Sequence, residues 1–143
     1  MMTNIAKTVK SLIFVLALTS IAACNKGDEL DEIFLDPNWK LTYIQESGIR
    51  RWPSQGNEYS LKFTDSGFSV TTPNGGSIKG RWHADGKTRE FRCSDIRTSS
   101  ISVNDTIARK MLQLLQEAKS YNGDIHFLQI IKDKDQLMQF YNK

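Results

Sequence analysis

Two histidines and two cysteines are the side chains of this 143-residue chain best suited to nucleophilic chemistry. Such catalysis needs a serine or cysteine beside a positioned base. His83 and His126 are each expected in the middle of a strand among hydrophobic residues, without a catalytic motif. Cys93 lies in a predicted strand and is interpreted as a small buried hydrophobe, with a reactive thiol as the alternative. The sequence predicts no catalytic set, and we do not expect an enzyme.

Patterns typical of metal or phosphate sites are also missing. Protein metal sites use clustered His, Cys or carboxylate ligands, whereas the two histidines here are far apart in sequence. The segment Lys132-Asp133-Lys134-Asp135 alternates in charge but lacks the ligand spacing of a calcium loop. Gly75-Gly76 lies between predicted strands and not before a helix, where glycines cradle phosphates. We expect no metal and no cofactor.

The N-terminal residues have the order of a secretory signal. Lys7 and Lys10 precede an apolar stretch over residues 11–23 that is too short to span a bilayer comfortably. The apolar stretch ends in Ile21-Ala22-Ala23, and Cys24 follows it. These four residues resemble the lipobox of bacterial lipoproteins. The resemblance implies cleavage between Ala23 and Cys24 and acyl chains such as palmitate on Cys24. An ordinary secretory signal is the alternative.

Residues 24–37 are predicted to be an acidic tether that follows the lipidated cysteine. Acids in this position resemble the surface-export signals of Bacteroidetes lipoproteins, and a solvated spacer explains them equally well. The apolar run Ile33-Phe34-Leu35 is expected to dock on the domain. We therefore expect a cell-envelope protein anchored in the outer membrane, with either face possible.

Charge gives no reason to expect a nucleic-acid partner. The whole chain carries 19 bases and 16 acids, but Lys7 and Lys10 leave with the signal. The mature chain then has 17 bases and 16 acids, a net charge of +1. A nucleic-acid-binding domain is normally much more basic.

Residues 38–143 are predicted to form one mainly β domain of the α+β class. Short alternating apolar runs are separated by turns such as Asp65-Ser66-Gly67 and Pro73-Asn74-Gly75-Gly76. Residues 104–119 instead have helical periodicity, with Asn104 as the predicted N-cap and Asn122-Gly123 as the predicted end. We expect an antiparallel meander or half-barrel of six to eight strands, with one long helix before the last two strands.

Several of these segments, in order, resemble the META fold of heat-inducible outer-membrane lipoproteins. They are Trp39-Lys40-Leu41, Leu61-Lys62-Phe63 and Gly80-Arg81-Trp82, then the helix and a closing strand. Uncharacterised lipoproteins of Bacteroides-type bacteria are similar. The cysteines of the META family are missing, so their roles do not transfer. The resemblance implies a half-barrel with a helix, an envelope location and no catalytic residues.

A lipocalin-like carrier of a small apolar ligand is the alternative fold and function. A lipocalin usually has eight strands before its helix, whereas here two apolar strands are predicted to follow the helix. A carrier also needs a cavity of about 300 Å³ or more. Five aromatic side chains are large enough to fill a small barrel: Trp39, Tyr43, Phe63, Trp82 and Phe127.

The candidate partner-binding residues are Arg50, Arg51 and Trp52, in a predicted long loop over residues 45–57. A tryptophan beside two arginines suits a protein, glycan or lipid partner. Alternatively, Trp52 folds back to plug the barrel while the arginines face water. Asp105-Thr106-Ile107 resembles a Bacteroidetes O-glycosylation signal on Thr106, or is simply the first turn of the helix. The leading hypothesis is a non-catalytic envelope lipoprotein that binds or supports a partner.

Overall fold

One antiparallel sheet forms most of the structure. A computed structural model describes residues 30–143, so the predicted signal peptide, Cys24 and the start of the tether lie outside the described residues. The sheet has nine strands: β1 (Trp39–Glu46), β2 (Ile49–Arg51), β3 (Ser60–Thr64), β4 (Gly67–Thr71), β5 (Ser77–Ala84), β6 (Phe91–Ser99), β7 (Ser120–Gly123), β8 (Phe127–Asp133) and β9 (Gln136–Asn142). Their order is β6-β5-β4-β3-β1-β9-β8-β7, with β2 paired to β1 alone.

The sheet curls until its two outermost strands approach each other. Glu90 and Ser120 form a bridge, and the Phe91 amide donates to the Lys119 carbonyl at 3.0 Å. These contacts join only the start of β6 to β7, and the rest of β6 diverges toward a helix. The result is a half-barrel, which confirms the mainly β fold class predicted from the alternating runs.

The single α-helix of the described residues, α1, spans Thr106–Glu117 between β6 and β7. Its predicted apolar stripe is buried, including Met111 and Leu115, which are 0% exposed. Asp105, one residue after the predicted N-cap Asn104, caps the helix by accepting a hydrogen bond from the Ala108 amide at 3.0 Å. Sequence periodicity therefore located the helix correctly, with its start displaced by one position.

The predicted C-terminal end of the helix is wrong. Asn122 and Gly123 belong to β7, which pairs with β8 from Ser120↔Ile131 to Gly123↔Leu128. The chain leaves the helix after Glu117 because strand pairing satisfies the backbone groups of residues 120–123. Three strands, and not two, therefore follow the helix, and with β2 they bring the total to nine.

The docking expected for the apolar run before β1 is present. Asp31–Leu35 form a single π-helical turn in which Ile33 and Phe34 are buried. The Phe34 ring lies 5.0 Å from Phe63, 4.9 Å from Trp82, 5.7 Å from Phe91 and 5.0 Å from Tyr121, measured between centroids. Phe34 is therefore at the centre of the half-barrel core.

Two of the five aromatic residues predicted to fill the barrel lie outside it. A bulge in β1 between Leu41 and Tyr43 shifts the register, so that Ile44 faces the core and Tyr43 faces outward. Phe127 is half-buried on the outer face of β8, because its neighbour Leu128 is the core residue. A bulge has no sequence signature here, so simple alternation assigned Tyr43 to the wrong face.

Candidate functional site

The predicted loop over residues 45–57 begins as a tight hairpin. β1 pairs with β2 through Ile44↔Arg51, Gln45↔Arg50 and Glu46↔Ile49. Only Ser47 and Gly48 connect the strands, and both have positive φ, 51° and 77°, as a type I′ turn requires. The long loop is therefore shorter than predicted, and β2 holds Arg50 and Arg51 in fixed register with β1.

The two arginines lie on opposite faces of this hairpin. Arg50 is opposite Gln45 on the outer face, and its Nε donates to Gln45 Oε1 at 3.2 Å. Arg51 has the opposite orientation, near Glu46. The Lys110 ammonium holds the pKa of Glu46 below its usual range, and Arg51 adds a smaller effect in the same direction. Arg51 is therefore separate from the candidate site.

Trp52 lies against the outer face and does not plug the barrel. Its ring is 5.1 Å from the Tyr43 ring between centroids, and 58% of the residue is exposed. Arg50 Cζ lies 4.4 Å from the Tyr43 centroid, a cation–π contact. Tyr43 in turn donates its hydroxyl to Gln139 Oε1 at 2.9 Å, which fixes the ring on the sheet. Trp52 is thus exposed yet supported from below.

Next to Trp52 lies an open depression of ≈ 460 Å³. Trp52 and Tyr141 line it as aromatic groups, Lys40 and Thr42 line it from β1, and residues 53–58 complete it. Thr42 Oγ1 is buried and has no hydrogen-bond partner among the described residues. Buried hydroxyls normally have a partner, but this atom has almost no surface exposed to solvent and is therefore out of reach of a ligand in the depression. We call Thr42, Tyr43, Arg50, Trp52 and Tyr141 the Trp52 surface.

Charged groups at the edge of the depression are paired. Lys40 Nζ lies 3.4 Å from Glu58 Oε2 and also donates to Ser60 Oγ at 2.5 Å. Lys143 donates to the other Glu58 oxygen at 2.5 Å. Lys143, with a smaller contribution from Lys40, lowers the pKa of Glu58. Glu58 is therefore ionised at neutral pH, and each of its oxygens is paired with a lysine ammonium group.

A family model described as a domain of unknown function, DUF4847, matches residues 25–142. The chain belongs to the DUF4847 family. A crystal structure of a DUF4847 family protein from Bacteroides vulgatus ATCC 8482 has a TM-score of 0.61 at 20% identity, covering 80% of this chain and 97% of that one. An NMR structure of a protein from Burkholderia xenovorans has a TM-score of 0.63 at 16% identity, covering 80% and 86%. Identities this low establish a shared fold alone. No functionally curated protein matches the chain.

The candidate nucleophiles of this DUF4847 protein are not brought together. Trp82 is opposite Cys93 and His83 is opposite Arg92, so His83 and Cys93 point to opposite faces of the sheet. Burial raises the pKa of the Cys93 thiol to about 12. His126 is exposed in the turn before β8 and not in mid-strand, because that strand begins only at Phe127. These positions offer no activated thiol–imidazole pair.

Residues 30–143 contain neither a metal-ligand cluster nor a membrane-spanning helix. No three or more His, Cys, Asp or Glu side chains there are grouped closely enough to hold a metal ion. The same residues include no helix with the length and apolarity needed to cross a bilayer.

Sequence reasoning missed three residues of the Trp52 surface in this DUF4847 protein. Tyr43 was assigned to the core, Thr42 occupies the bulge that reverses this assignment, and Tyr141 belongs to the last strand. These residues lie close together only because β1 pairs with β9, and the two strands are about a hundred positions apart in sequence. The one available signal was Trp52 itself, a large aromatic residue in a polar segment.

Proposed function

We propose that this protein is a non-catalytic, lipid-anchored protein of the cell envelope whose Trp52 surface binds a glycan. The observation that carries the proposal is Trp52, 58% exposed yet fixed on the Tyr43 ring beside the depression. An exposed aromatic ring supported by another is a pre-ordered apolar contact that loses little entropy on binding. Isolated surface apolar residues need no explanation, but this ring is adjacent to polar groups that converge on one depression.

The chemistry of the depression favours a hydroxyl-rich ligand. Trp52 and Tyr141 present flat apolar faces that match the C–H faces of a sugar ring. Asn57 offers an amide, and the exposed Glu58 carboxylate, although paired with Lys40 and Lys143, retains acceptor lone pairs. A sugar carries closely spaced hydroxyls that both donate and accept, so it can pair with all of these groups. An apolar ligand would leave the polar groups unpaired, at a cost in free energy.

The envelope location and the anchor are supported by the sequence alone. The order of charge, apolar run and Ile21-Ala22-Ala23-Cys24 favours an acylated Cys24 in the outer membrane. A distant relationship to the META fold is part of the same proposal. It is supported by the half-barrel with its helix before the final strands, in which Trp39-Lys40-Leu41 opens β1 and Gly80-Arg81-Trp82 lies within β5.

The carrier alternative receives no support from the core of the described residues. The space between β1 and α1, lined by residues such as Ile44 and Leu114, measures ≈ 20 Å³. A carrier of a small apolar ligand needs about 300 Å³ or more. The larger depressions around residues 30–143, including the one at Trp52, are open to solvent.

Fluorescence quenching tests the glycan proposal, because Trp39 is fully buried, Trp82 is half-buried and Trp52 is exposed. Iodide should therefore quench mainly Trp52. We expect oligosaccharides released from the cell envelope to protect Trp52 from iodide and to bind with a saturable dissociation constant. Trp52→Ala, assayed by calorimetry, should weaken binding at least tenfold.

The matched control is Ile49→Ala. Ile49 is an exposed apolar residue of the same hairpin, 68% exposed, and lies on the opposite face. Ile49→Ala should leave glycan binding unchanged. Equal binding by wild type and Trp52→Ala, or equal losses in both variants, would exclude the Trp52 surface as the binding site.

A further inference from the structure

Basic residues that are scattered in the sequence meet on the outer face of β3 to β6. Lys62 on β3 is opposite Ser69 on β4, Ser69 is opposite Lys79 on β5, and Lys79 is opposite Arg97 on β6. All three cations are exposed. Arg81 and Arg92, also exposed, point to the same side of β5 and β6. We call Lys62, Lys79, Arg81, Arg92 and Arg97 the basic face.

The central row of the basic face has no internal counter-charge. Arg81 pairs with Asp95 at 3.6 Å and Arg92 with Glu90 at 2.7 Å. No ion pair within residues 30–143 involves the other three cations, Lys62, Lys79 and Arg97. Five bases and two acids give this face a charge of +3, larger than the +1 of the whole mature chain. The basic charge is thus concentrated on one face.

The cations of the basic face are close enough to repel one another. Lys79 and Arg97 are directly opposite on neighbouring strands, where like charges repel. Beside them a β-bulge places Asp95 at φ 51°, a left-handed conformation that aspartate tolerates better than most non-glycine residues. The bulge opens a depression of ≈ 520 Å³ lined by Ser66, Arg81, Asp95 and Arg97. Arg97 and the Ser66 hydroxyl can donate to a phosphate group there, whereas Arg81 is paired with the Asp95 carboxylate that lines the same depression.

The basic face also lies close to the point where the chain reaches the proposed anchor. The first described residue, Leu30, lies beside Gly86 in the β5–β6 hairpin. A Cβ atom added to Gly86 would lie 3.5 Å from Leu30 Cγ. Six positions separate Leu30 from Cys24, a span of at most about 20 Å. A lipid on Cys24 would therefore keep the hairpin end of β5 and β6 near the bilayer, and Arg81 and Arg92 are the residues of the basic face closest to this end.

We propose that the basic face lies on the membrane that carries the anchor and binds the phosphates of anionic lipid headgroups. The proposal rests on the proposed lipid anchor for its location, whereas the binding chemistry depends on the basic face alone. A row of cations across a sheet face matches a plane of phosphates, and the short tether favours lipid over a soluble polyanion. The contact would fix the orientation of the domain, which leaves the separate Trp52 surface free for its ligand.

Vesicle sedimentation tests this proposal with the mature chain, residues 24–143, produced without lipid. We expect binding to vesicles of phosphatidylglycerol and phosphatidylcholine, weaker binding at higher salt, and little binding to phosphatidylcholine alone. The triple variant Lys62→Gln, Lys79→Gln, Arg97→Gln should bind phosphatidylglycerol vesicles about 100-fold more weakly, since each basic residue near such a surface contributes about fivefold.

Two further triple variants serve as controls. The first is Arg109→Gln, Lys119→Gln, Lys134→Gln, which removes the same charge from exposed positions outside the basic face. It should lose less than about fivefold. The second is Lys62→Arg, Lys79→Arg, Arg97→Lys, which keeps the charge and should keep the affinity. Far-UV circular dichroism should show that all three variants are folded.

Several results would overturn the proposal. They are absence of wild-type binding to phosphatidylglycerol vesicles at low salt, equal losses in the two glutamine triples, and tighter binding to soluble polyphosphate than to vesicles. None of these depends on Cys24. Mass spectrometry of the chain from cell envelopes tests the acyl group separately, and a missing acyl group with intact vesicle binding would refute the anchor alone.

Discussion

Replacing Phe34 with alanine tests whether the segment before β1 belongs to the folded core. Phe34 is 0% exposed and contacts four aromatic rings. Burial of a phenylalanine side chain is worth about 3 kcal/mol, and the cavity and lost ring contacts add about 1–2 kcal/mol. We therefore expect Phe34→Ala to lower the free energy of unfolding by about 4 kcal/mol, a large part of the stability of a domain this size.

Urea denaturation followed by far-UV circular dichroism measures this loss. With a slope of about 1.5 kcal/mol per molar urea, the midpoint should fall by about 2.5 M. Phe127→Ala is the matched control, because this phenylalanine is half-buried on the outer face and should lose only about 1 kcal/mol. A loss below about 2 kcal/mol for Phe34→Ala, or equal losses in both variants, would refute the central role of Phe34.

Three further predictions concern the helix cap, the bulge and the thiol. Asp105→Ala should cost about 1–2 kcal/mol in thermal unfolding, and Asn104→Ala almost nothing; equal costs would refute the cap assignment. Gly80→Ala should destabilise the fold by about 1–3 kcal/mol, because the added Cβ would lie 2.8 Å from atoms of Phe68 and Ser94. Gly86→Ala is the control and should be near neutral, because its Cβ would lie 3.5 Å from the nearest atom, in Leu30. A neutral Gly80→Ala would contradict the close packing. Because the folded pKa of Cys93 is raised from 9.0 to about 12, native protein should react slowly with a disulfide reagent at pH 8. Its stability should fall as pH rises from about 9 toward 12. Cys93→Ala should reduce that fall without abolishing it, because burial also raises the pKa of Tyr59. Fast labelling of folded protein would contradict the burial of the thiol.

Local patterns were sufficient for the elements that depend on near neighbours. The stripe of α1 and the turns at Asp65-Ser66-Gly67 and Pro73-Asn74-Gly75-Gly76 follow from periodicity and turn chemistry. The helix end at Asn122-Gly123 was wrong, because those residues pair with β8, and a Gly-containing cap and a strand end look alike in sequence.

The two candidate surfaces depend on pairing between strands, which composition cannot show. Lys62, Lys79 and Arg97 are far apart in sequence, so the order of residues does not reveal that they form one group. Only the register of β3 to β6 aligns them. The sequence indicates Trp52 as a candidate residue, but the Tyr43 ring supports it only because a bulge turns Tyr43 to the outer face. Tyr141 lies near Trp52 only because β1 pairs with β9.

The pairing of β1 with β9 also determines when the chain can fold. Trp39 is opposite Asn142, so β1 pairs with a strand that is synthesised about a hundred residues later. Contacts between such distant residues slow folding, because a long loop must close before they form. Until β9 emerges, β1 has an unpaired edge, and the core lacks Met138 and Phe140. During synthesis, residues 39–135 should therefore lack a complete sheet and core until β9 has left the ribosome.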